Sequence, residues 1–466
     1  MRNFNGMLWG VILFLLSPST HASAISAWPD TGQNSCYNNS TLITCPDNGQ
    51  PFYGQDGQYL SPQPSYTKLD AAGVALPFST AIWSMVRDNV TTLIWEMKTD
   101  DGSIHDKDVR YYWCDSSSQN PGLCDGVENT ESFIHSLNSA RFGGYEDWRL
   151  PTILELATLL NSASQGPAIN TTFFPNTSLP ENIFIDYWSG SEETGVSTNA
   201  WYVDFANGGA VSSFSKTSAL RARAVRGGTA ALTPYIDNED GTVTDTETGL
   251  MWQQDPSLTA AGISGLDTLN WQGALYYVAQ LNLINFAAHS DWRLPNRNEL
   301  QSLVDYSRST PAFNTAFFPT PPLNYPWWSS TTEHGLTGNA WTVDFASGTG
   351  FSSAKIYGGN VRAVRTVTLY TLSVTLAGEG SGKITSAPAG ISCPNDCSER
   401  YDSGTIVSLT ATAAPDSLFK GWTGACSGPG ICTVSMTQAK AVTANFANTS
   451  SANPSLSPLY LLLLVP

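Results

Sequence analysis

One long segment of this chain occurs twice. Asp147-Trp-Arg-Leu-Pro151 returns 144 residues later as Asp291-Trp-Arg-Leu-Pro295, and Ile169-Asn-Thr-Thr-Phe-Phe-Pro175 returns at the same offset as Phe313-Asn-Thr-Ala-Phe-Phe-Pro319. Asn199-Ala-Trp201 matches Asn339-Ala-Trp341 at an offset of 140, and Arg223-Ala-Val-Arg226 matches Arg362-Ala-Val-Arg365 at 139. A kept order with slowly drifting offsets is a duplicated domain, because a solenoid would repeat every roughly 20–50 residues. The openings also align, Val86–Trp95 on Val243–Trp252. Trp95 to Trp148 spans 53 residues and Trp252 to Trp292 only 40, so the first copy holds 13 extra residues, in the stretch with Cys114 and Cys124. A local disulfide stapling an inserted loop explains both facts.

The duplication divides the chain. Residues 79–228 and 233–368 are the two copies. Residues 25–78, rich in Pro, Gly, Gln and Ser, read as an extended leader. Residues 369–447, dominated by Thr, Ser, Ala, Val and Gly, read as a small all-β module with strand-like runs at 370–376, 405–413 and 439–446. Residues 448–466 form a linker and a short apolar tail. Within a copy, a hairpin opens the domain, with Asp237-Asn-Glu-Asp-Gly241 as its turn in copy two. Trp271–Asn282 has apolar residues at helical spacing, matched by Glu131–Asn138 in copy one. Thr152-Ile-Leu-Glu155 and Asn296-Arg-Asn-Glu299 have the form of capping boxes opening a second helix. Short alternating strands follow, so each copy is expected to be α+β with much ordered loop.

Composition excludes several classes. Only 13% of residues are charged, the net charge is -17, and there are 15 Trp. A disordered chain would lack the aromatics, and a nucleic-acid binder would be basic. Eight of the 15 Trp fall at paired positions (Trp95/Trp252, Trp148/Trp292, Trp188/Trp328, Trp201/Trp341), so the Trp excess is largely one domain core counted twice. Arg2, the apolar run Met7–Leu16 and Ala22-Ser-Ala24 form a secretory signal over residues 1–24, which predicts a secreted or cell-surface protein using the general secretory route. Export makes the eight Cys readable as disulfides. Cys36/Cys45 and Cys114/Cys124 suggest one local bridge each. Cys393, Cys397, Cys426 and Cys432 allow three connectivities, with Cys393–Cys397 and Cys426–Cys432 preferred and zinc as the rival. The tail Leu459–Pro466 is too short to span a bilayer, and membrane attachment stays open.

These motifs resemble a known family. Both copies are similar to the C-terminal domain of the Legionella collagen-like adhesin. The residues that carry the resemblance are the Thr248-Gly-Leu-Met-Trp252 start, Asp291–Pro295, Glu299, Trp328-Ser329, Asn339–Trp341 and Arg362–Arg365. Their counterparts are Leu93–Trp95, Asp147–Pro151, Glu155, Trp188-Ser189, Asn199–Trp201 and Arg223–Arg226. The resemblance implies two C-type-lectin-like or sulfatase-modifying-factor-like α+β domains in tandem and a role in surface attachment, with sulfated polysaccharide as the family's suggested ligand. Residues 79–228 carry 10 basic and 18 acidic groups and residues 233–368 carry 6 and 12, which argues against holding a polyanion by charge. The last module resembles the divergent internalin-type repeat through Gly380-Ser-Gly382, Cys393, Cys397, Phe419–Trp422, Cys426, Cys432 and Val442–Phe446. That resemblance implies a small β-grasp-like spacer or adhesion module.

No catalytic residue is assigned. Nucleophile-elbow, P-loop and zinc-protease signatures are missing from the sequence, and a modifying-factor-like enzyme would need reactive Cys. Sugar rings stack on indole faces, so Trp188, Trp201, Trp327, Trp328 and Trp341, with Asn199 and Asn339 beside them, are the candidate ligand-binding residues. Successive residues in a strand point to opposite faces, which suggests exposure of Trp327 or Trp328. Asp237, Asn238 and Asp240 offer hard oxygens that could ring Ca²⁺; no other cofactor is indicated. The expected function is non-catalytic binding to a glycan or a surface protein. A structural scaffold or stalk is the first alternative, and a modifying-factor-like enzyme the second.

Overall fold

The computed structural model describes residues 28–59, 62–164, 166–177, 185–206, 208–228, 235–256, 268–319 and 322–449. The expected signal segment and apolar tail lie outside the described residues. The molecule is mostly β, built from several sheets that are antiparallel except for the parallel pair Leu369–Ala377 and Lys440–Asn448, with four short α-helices among the described residues: α1 (Thr130–Ser139), α2 (Ile153–Ala157), α3 (Trp271–Leu283) and α4 (Arg297–Ser302).

In copy one, Val225–Arg226, Ile94–Glu96, Met85–Asp88 and Tyr66–Leu69 form one four-stranded sheet in that order. In copy two the order is Tyr235–Asp237, Thr242–Asp245, Leu250–Gln253 and Val364–Thr366. The closing Arg-Ala-Val-Arg segment thus returns to the opening hairpin, and each copy seals its own ends together. Tyr66–Leu69, which lies ahead of residue 79, pairs with Met85–Asp88 in this sheet.

Each copy also contributes a three-stranded meander: Asp186–Glu192, Asn199–Asp204 and Ala210–Ser215, then Trp327–Thr332, Asn339–Asp344 and Thr349–Ala354. The equivalent edge strands meet, with Gly350 opposite Val211, and fuse the meanders into one six-stranded antiparallel sheet. Antiparallel pairing of equivalent edges is the geometry of a local two-fold, and it removes two exposed edges at once. Arg297 donates from Nη1 to the Gly208 carbonyl at 2.8 Å and from Nη2 to the Gly209 carbonyl, and its guanidinium lies 3.5 Å from the Trp341 ring centroid. Trp201 meets Tyr306 of copy two edge-on, centroids 4.8 Å apart. Gly208 has φ +82°, and a Cβ there would lie 2.9 Å from the Trp341 ring, so this turn requires glycine.

The repeated Arg residues are structural. Arg149 makes a bidentate pair with buried Glu155 at 2.7 and 2.6 Å, and Arg293 pairs with Glu299 at 2.5 Å on both oxygens. Each Glu is also the third residue of a capping box, on Thr152 or Asn296. One carboxylate therefore ties the Trp-Arg-Leu-Pro segment to the start of α2 or α4. Arg226 and Arg365 pair with Asp147 and Asp291 at 2.7 and 2.8 Å.

The last module contains strands and no α-helix among the described residues. Ser398–Asp402, Leu369–Ala377, Lys440–Asn448 and Ser417–Gly424 form one sheet; Ser392–Cys393, Gly382–Ala387, Ile406–Ala413 and Cys432–Ser435 form the other. Leu372, Ile384, Val407, Trp422 and Phe446 are among the residues of its core. It touches copy two through Arg365–Asp402 at 3.4 Å and through Arg400, which donates to the Thr246 carbonyl at 2.8 Å. All eight Cys are bridged, as Cys36–Cys45, Cys114–Cys124, Cys393–Cys397 and Cys426–Cys432.

The leader departs most from the sequence expectation of an extended segment. Residues 28–59 fold onto copy two. Trp28 Nε1 donates to the Asn298 carbonyl at 2.8 Å. The Gln33 amide pairs reciprocally with the backbone of Thr332, at 2.7 and 3.0 Å, doing at the sheet's edge what another strand would do. Pro and Gly set this segment's turns but not whether it packs; its buried Trp28, Cys36 and Tyr37 decide that.

Candidate functional site

The five Trp singled out from the sequence are buried. Trp188 and Trp327 are 0% exposed, Trp328 1%, Trp201 2% and Trp341 3%. The two faces of the Trp327–Thr332 strand are both covered. Trp327 enters a core with Val243, Phe313 and Phe345, and Trp328 enters a second with Trp271 and Trp292. The two indoles do point opposite ways, yet neither is exposed, because copy two has a core on each side of this strand. Trp201 and Trp341 pack into the join between copies. None of these indoles presents an open face. Asn199 and Asn339 donate to the Glu193 and Glu333 carboxylates at 2.9 and 3.0 Å, holding the turns between strands.

The acidic turn of copy two is closed on itself. Asp237 accepts from the Glu239 N–H and the Gln254 amide, and Asp240 accepts from the backbone and hydroxyl of Thr242. Asn238 donates to Thr242 and Thr244 hydroxyls. Two groups of three potential metal ligands occur elsewhere among the described residues. In Cys114/Cys124/Glu131 the sulfurs are bonded to each other, and in Asp100/Asp106/Asp108 Lys107 bridges the outer pair at 2.9 and 2.7 Å.

The docked leader creates a groove of about 890 Å³ between residues 48–59 and α3. α3 forms because Asn270 caps it and Trp271, Ala274, Leu275, Val278 and Leu281 recur at helical spacing on the buried face. That leaves Gln272, Tyr276, Gln280 and Leu283 toward the groove, with Tyr276 58% and Leu283 76% exposed. The opposite wall holds Asn48, Gln50, Phe52, Tyr53 and Tyr59. Phe52 stacks near Trp271 with centroids 6.4 Å apart, and Tyr59 lies under the Arg293 guanidinium at 5.2 Å. Burial raises the Tyr59 phenol well above its ordinary range, so it stays a neutral hydrogen-bonding group. The charged lining residues are already partnered: Asp291 by Arg365 and Arg293 by Glu299. The groove is thus aromatic, amide-rich and electrically self-compensated.

A buried polar seam fixes the leader wall. Asp56, 2% exposed, accepts from Thr31 at 2.6 Å and from Thr331 of copy two at 2.7 Å. Burial, with Asp30 nearby, pushes its carboxyl up to about 8. Lys355 donates to the Asn38 carbonyl at 2.9 Å inside the Cys36–Cys45 loop and sits 3.9 Å from the Trp271 ring centroid. Burial pulls its ammonium down to about 7.

Sequence reasoning missed this seam, although copy one holds its template. There Lys216 donates to the Asn120 carbonyl at 2.6 Å inside the Cys114–Cys124 loop and sits 4.3 Å from the Trp113 ring. Trp113 Nε1 donates to the Ser189 carbonyl and Trp271 Nε1 to the Ser329 carbonyl, both at 2.9 Å. The disulfide hairpin of the leader therefore caps copy two as the inserted loop caps copy one. The readable signal was a second Cys pair at similar spacing, next to a copy lacking the insertion.

Residues 84–226 and 241–365 each match the Lcl C-terminal domain family, together more than half of the chain, and residues 372–450 match the divergent InlB B-repeat domain. No curated protein matches the chain. Among the described residues, no helix is long and apolar enough to cross a membrane.

Proposed function

Because the chain belongs to the Lcl C-terminal domain family, in two joined copies followed by a divergent InlB B-repeat, we propose that it is an exported, surface-associated adhesion protein that works by non-catalytic binding. In this reading the copies act as lectin-like domains, and the β-grasp-like last module is a spacer on the side of copy two. The ligand is a neutral oligosaccharide held in the groove between the leader and α3.

One observation carries the choice of ligand. The groove joins the rings of Phe52, Tyr53, Tyr59 and Tyr276 to the amides of Asn48, Gln50, Gln272 and Gln280, with no uncompensated charge among its lining side chains. Rings stack on sugar faces and amides pair with hydroxyls, whereas a sulfated chain would need free cations. The eight bridged Cys speak against a thiol-dependent modifying enzyme.

A neutral-glycan array followed by titration calorimetry tests this reading. The full chain is expected to give hits that persist at high salt. Tyr276→Ala and Phe52→Ala should each weaken binding about tenfold, since a stacked aromatic is worth roughly 1 kcal/mol or more. Binding that is absent, or untouched by both substitutions, would return the protein to the scaffold reading.

A further inference from the structure

We propose that Asn48 is a self-modification site: it loses its side-chain amide to attack by the Gly49 backbone nitrogen, and the carboxylate left behind turns the rim of the copy-two groove acidic as the protein ages. The effect on ligand binding rests on the reading of that groove as a glycan site. The modification itself does not.

Asn-Gly occurs three times in the sequence, at 5–6, 48–49 and 207–208. The first lies in the expected signal segment, outside the described residues. At the third, Gly208 is buried in the join between copies and its carbonyl accepts from Arg297 at 2.8 Å. The second is open. Asp47, Asn48, Gly49 and Gln50 are all exposed, in a turn closed by the Gln50 N–H on the Asp47 carbonyl at 3.0 Å. Neither the Asn48 side chain nor the Gly49 N–H has a hydrogen-bond partner among the described residues. The two reacting groups are therefore neighbours along the chain and both unengaged. Rotation of the 48–49 peptide, which brings them together, is restrained by the turn bond and by the Asp47 N–H on Gln50 Oε1 at 2.8 Å. Gly49 has φ +85°, with nothing within 4 Å of where a Cβ would stand, so no side chain obstructs that rotation.

The chemistry balances without a cofactor. The Gly49 nitrogen bonds to the Asn48 side-chain carbonyl carbon and closes a five-membered imide. Its proton goes to the departing amide nitrogen, which leaves as ammonia. Water then opens one of the two imide C–N bonds, giving aspartate linked through its α- or its β-carboxyl. One water enters, one ammonia leaves, and nothing is oxidised or reduced. The flanks stay fastened, because Gln58 donates to the Pro46 carbonyl at 2.6 Å and Cys45 is bridged to Cys36. The change is therefore local, yet it falls on the ligand, since Asn48, Gly49 and Gln50 all line the groove. An amide donor becomes an acceptor-only carboxylate. The one cation in the lining, Arg293, is already paired with Glu299, so the new charge stays uncompensated.

The test incubates the full chain near neutral pH, folded and in concentrated urea, and follows each Asn-containing peptide by mass spectrometry. In the folded chain residue 48 is expected to convert about tenfold faster than residue 207, and in urea the two should convert at similar rates. Asn48→Gln, which would need a larger ring, should abolish the conversion at that position. A folded chain in which residue 48 converts no faster than residue 207, or stays intact while converting in urea, overturns the site. The aged chain and Asn48→Asp should each bind a hit from the neutral-glycan array about fivefold more weakly than fresh protein, the worth of one hydrogen bond. Equal binding by aged and fresh chains overturns the change in the groove. An array without hits sinks the groove reading instead, and the mass spectrum alone then judges the modification.

Discussion

The two copies solve the same packing problem with different pieces of chain. Each must cover an indole, Trp113 or Trp271, that donates to a strand carbonyl and carries a lysine over its face. Copy one does so with its own disulfide loop, and copy two borrows residues 28–59 from the far end of the sequence. The lysines record the difference. Lys216 has Glu192 at 2.9 Å as well as a loop carbonyl, whereas Lys355 has a carbonyl alone and is pulled down to about 7. A cap supplied from within can be charged and paired. A cap supplied from a distance here relies on burial and neutral hydrogen bonds, and it leaves a groove at its margin.

The sharpest way to break the comparison is to remove the borrowed cap. Deleting residues 28–59 should expose α3 and the Trp271 face, so backbone amides of α3 are expected to exchange with solvent at least tenfold faster while those of α1 stay protected. Hydrogen exchange read by mass spectrometry checks this, and equal acceleration in both helices would mean that the copies share one cap. Next in size are the staples. Replacing Cys36 and Cys45 by Ser, or Cys114 and Cys124 by Ser, opens loops of similar length, so each change should cost about 2–3 kcal/mol by denaturant titration. The first should loosen copy two and the second copy one.

The last effect is on pH. Asp56 is raised to about 8, so the folded state holds a proton that the unfolded chain releases near 4. Its contribution is full at acid pH and is lost as pH rises toward 8. Lys355 is lowered to about 7, so the unfolded chain holds the extra proton between about 7 and 10.5, and its contribution grows as pH rises through that window. The leader's hold on copy two should therefore be weakest just above neutrality. Asp56→Asn should flatten the acid limb of a melting-temperature profile and leave the alkaline limb intact.

How much of this was legible in the sequence follows from the range of each interaction. The duplication, the capping boxes around Glu155 and Glu299 and the Cys36–Cys45 and Cys114–Cys124 bridges rest on neighbours along the chain or on repeated words, and the residues announce them, whereas Cys393, Cys397, Cys426 and Cys432 left three connectivities open until the structure paired them. The burial of Trp327 and Trp328 does not announce itself, because alternation tells which residues face apart but not whether both faces are covered. The docking of Trp28, Gln33 and Asp56 on Asn298, Thr332 and Thr331 spans some 270–300 residues and has no repeated counterpart. For the same reason the groove was invisible: half of it belongs to a segment whose composition reads as linker.

The leader's placement also fixes how the molecule carries load. Residues 28–59 are fastened to copy two, and the last module is fastened to copy two as well, through Arg400 and Arg365. A pull applied at residue 28 and residue 449 runs from leader to copy two to module. Copy one, though it lies between them in sequence, stands beside that path, joined to copy two through the shared six-stranded sheet.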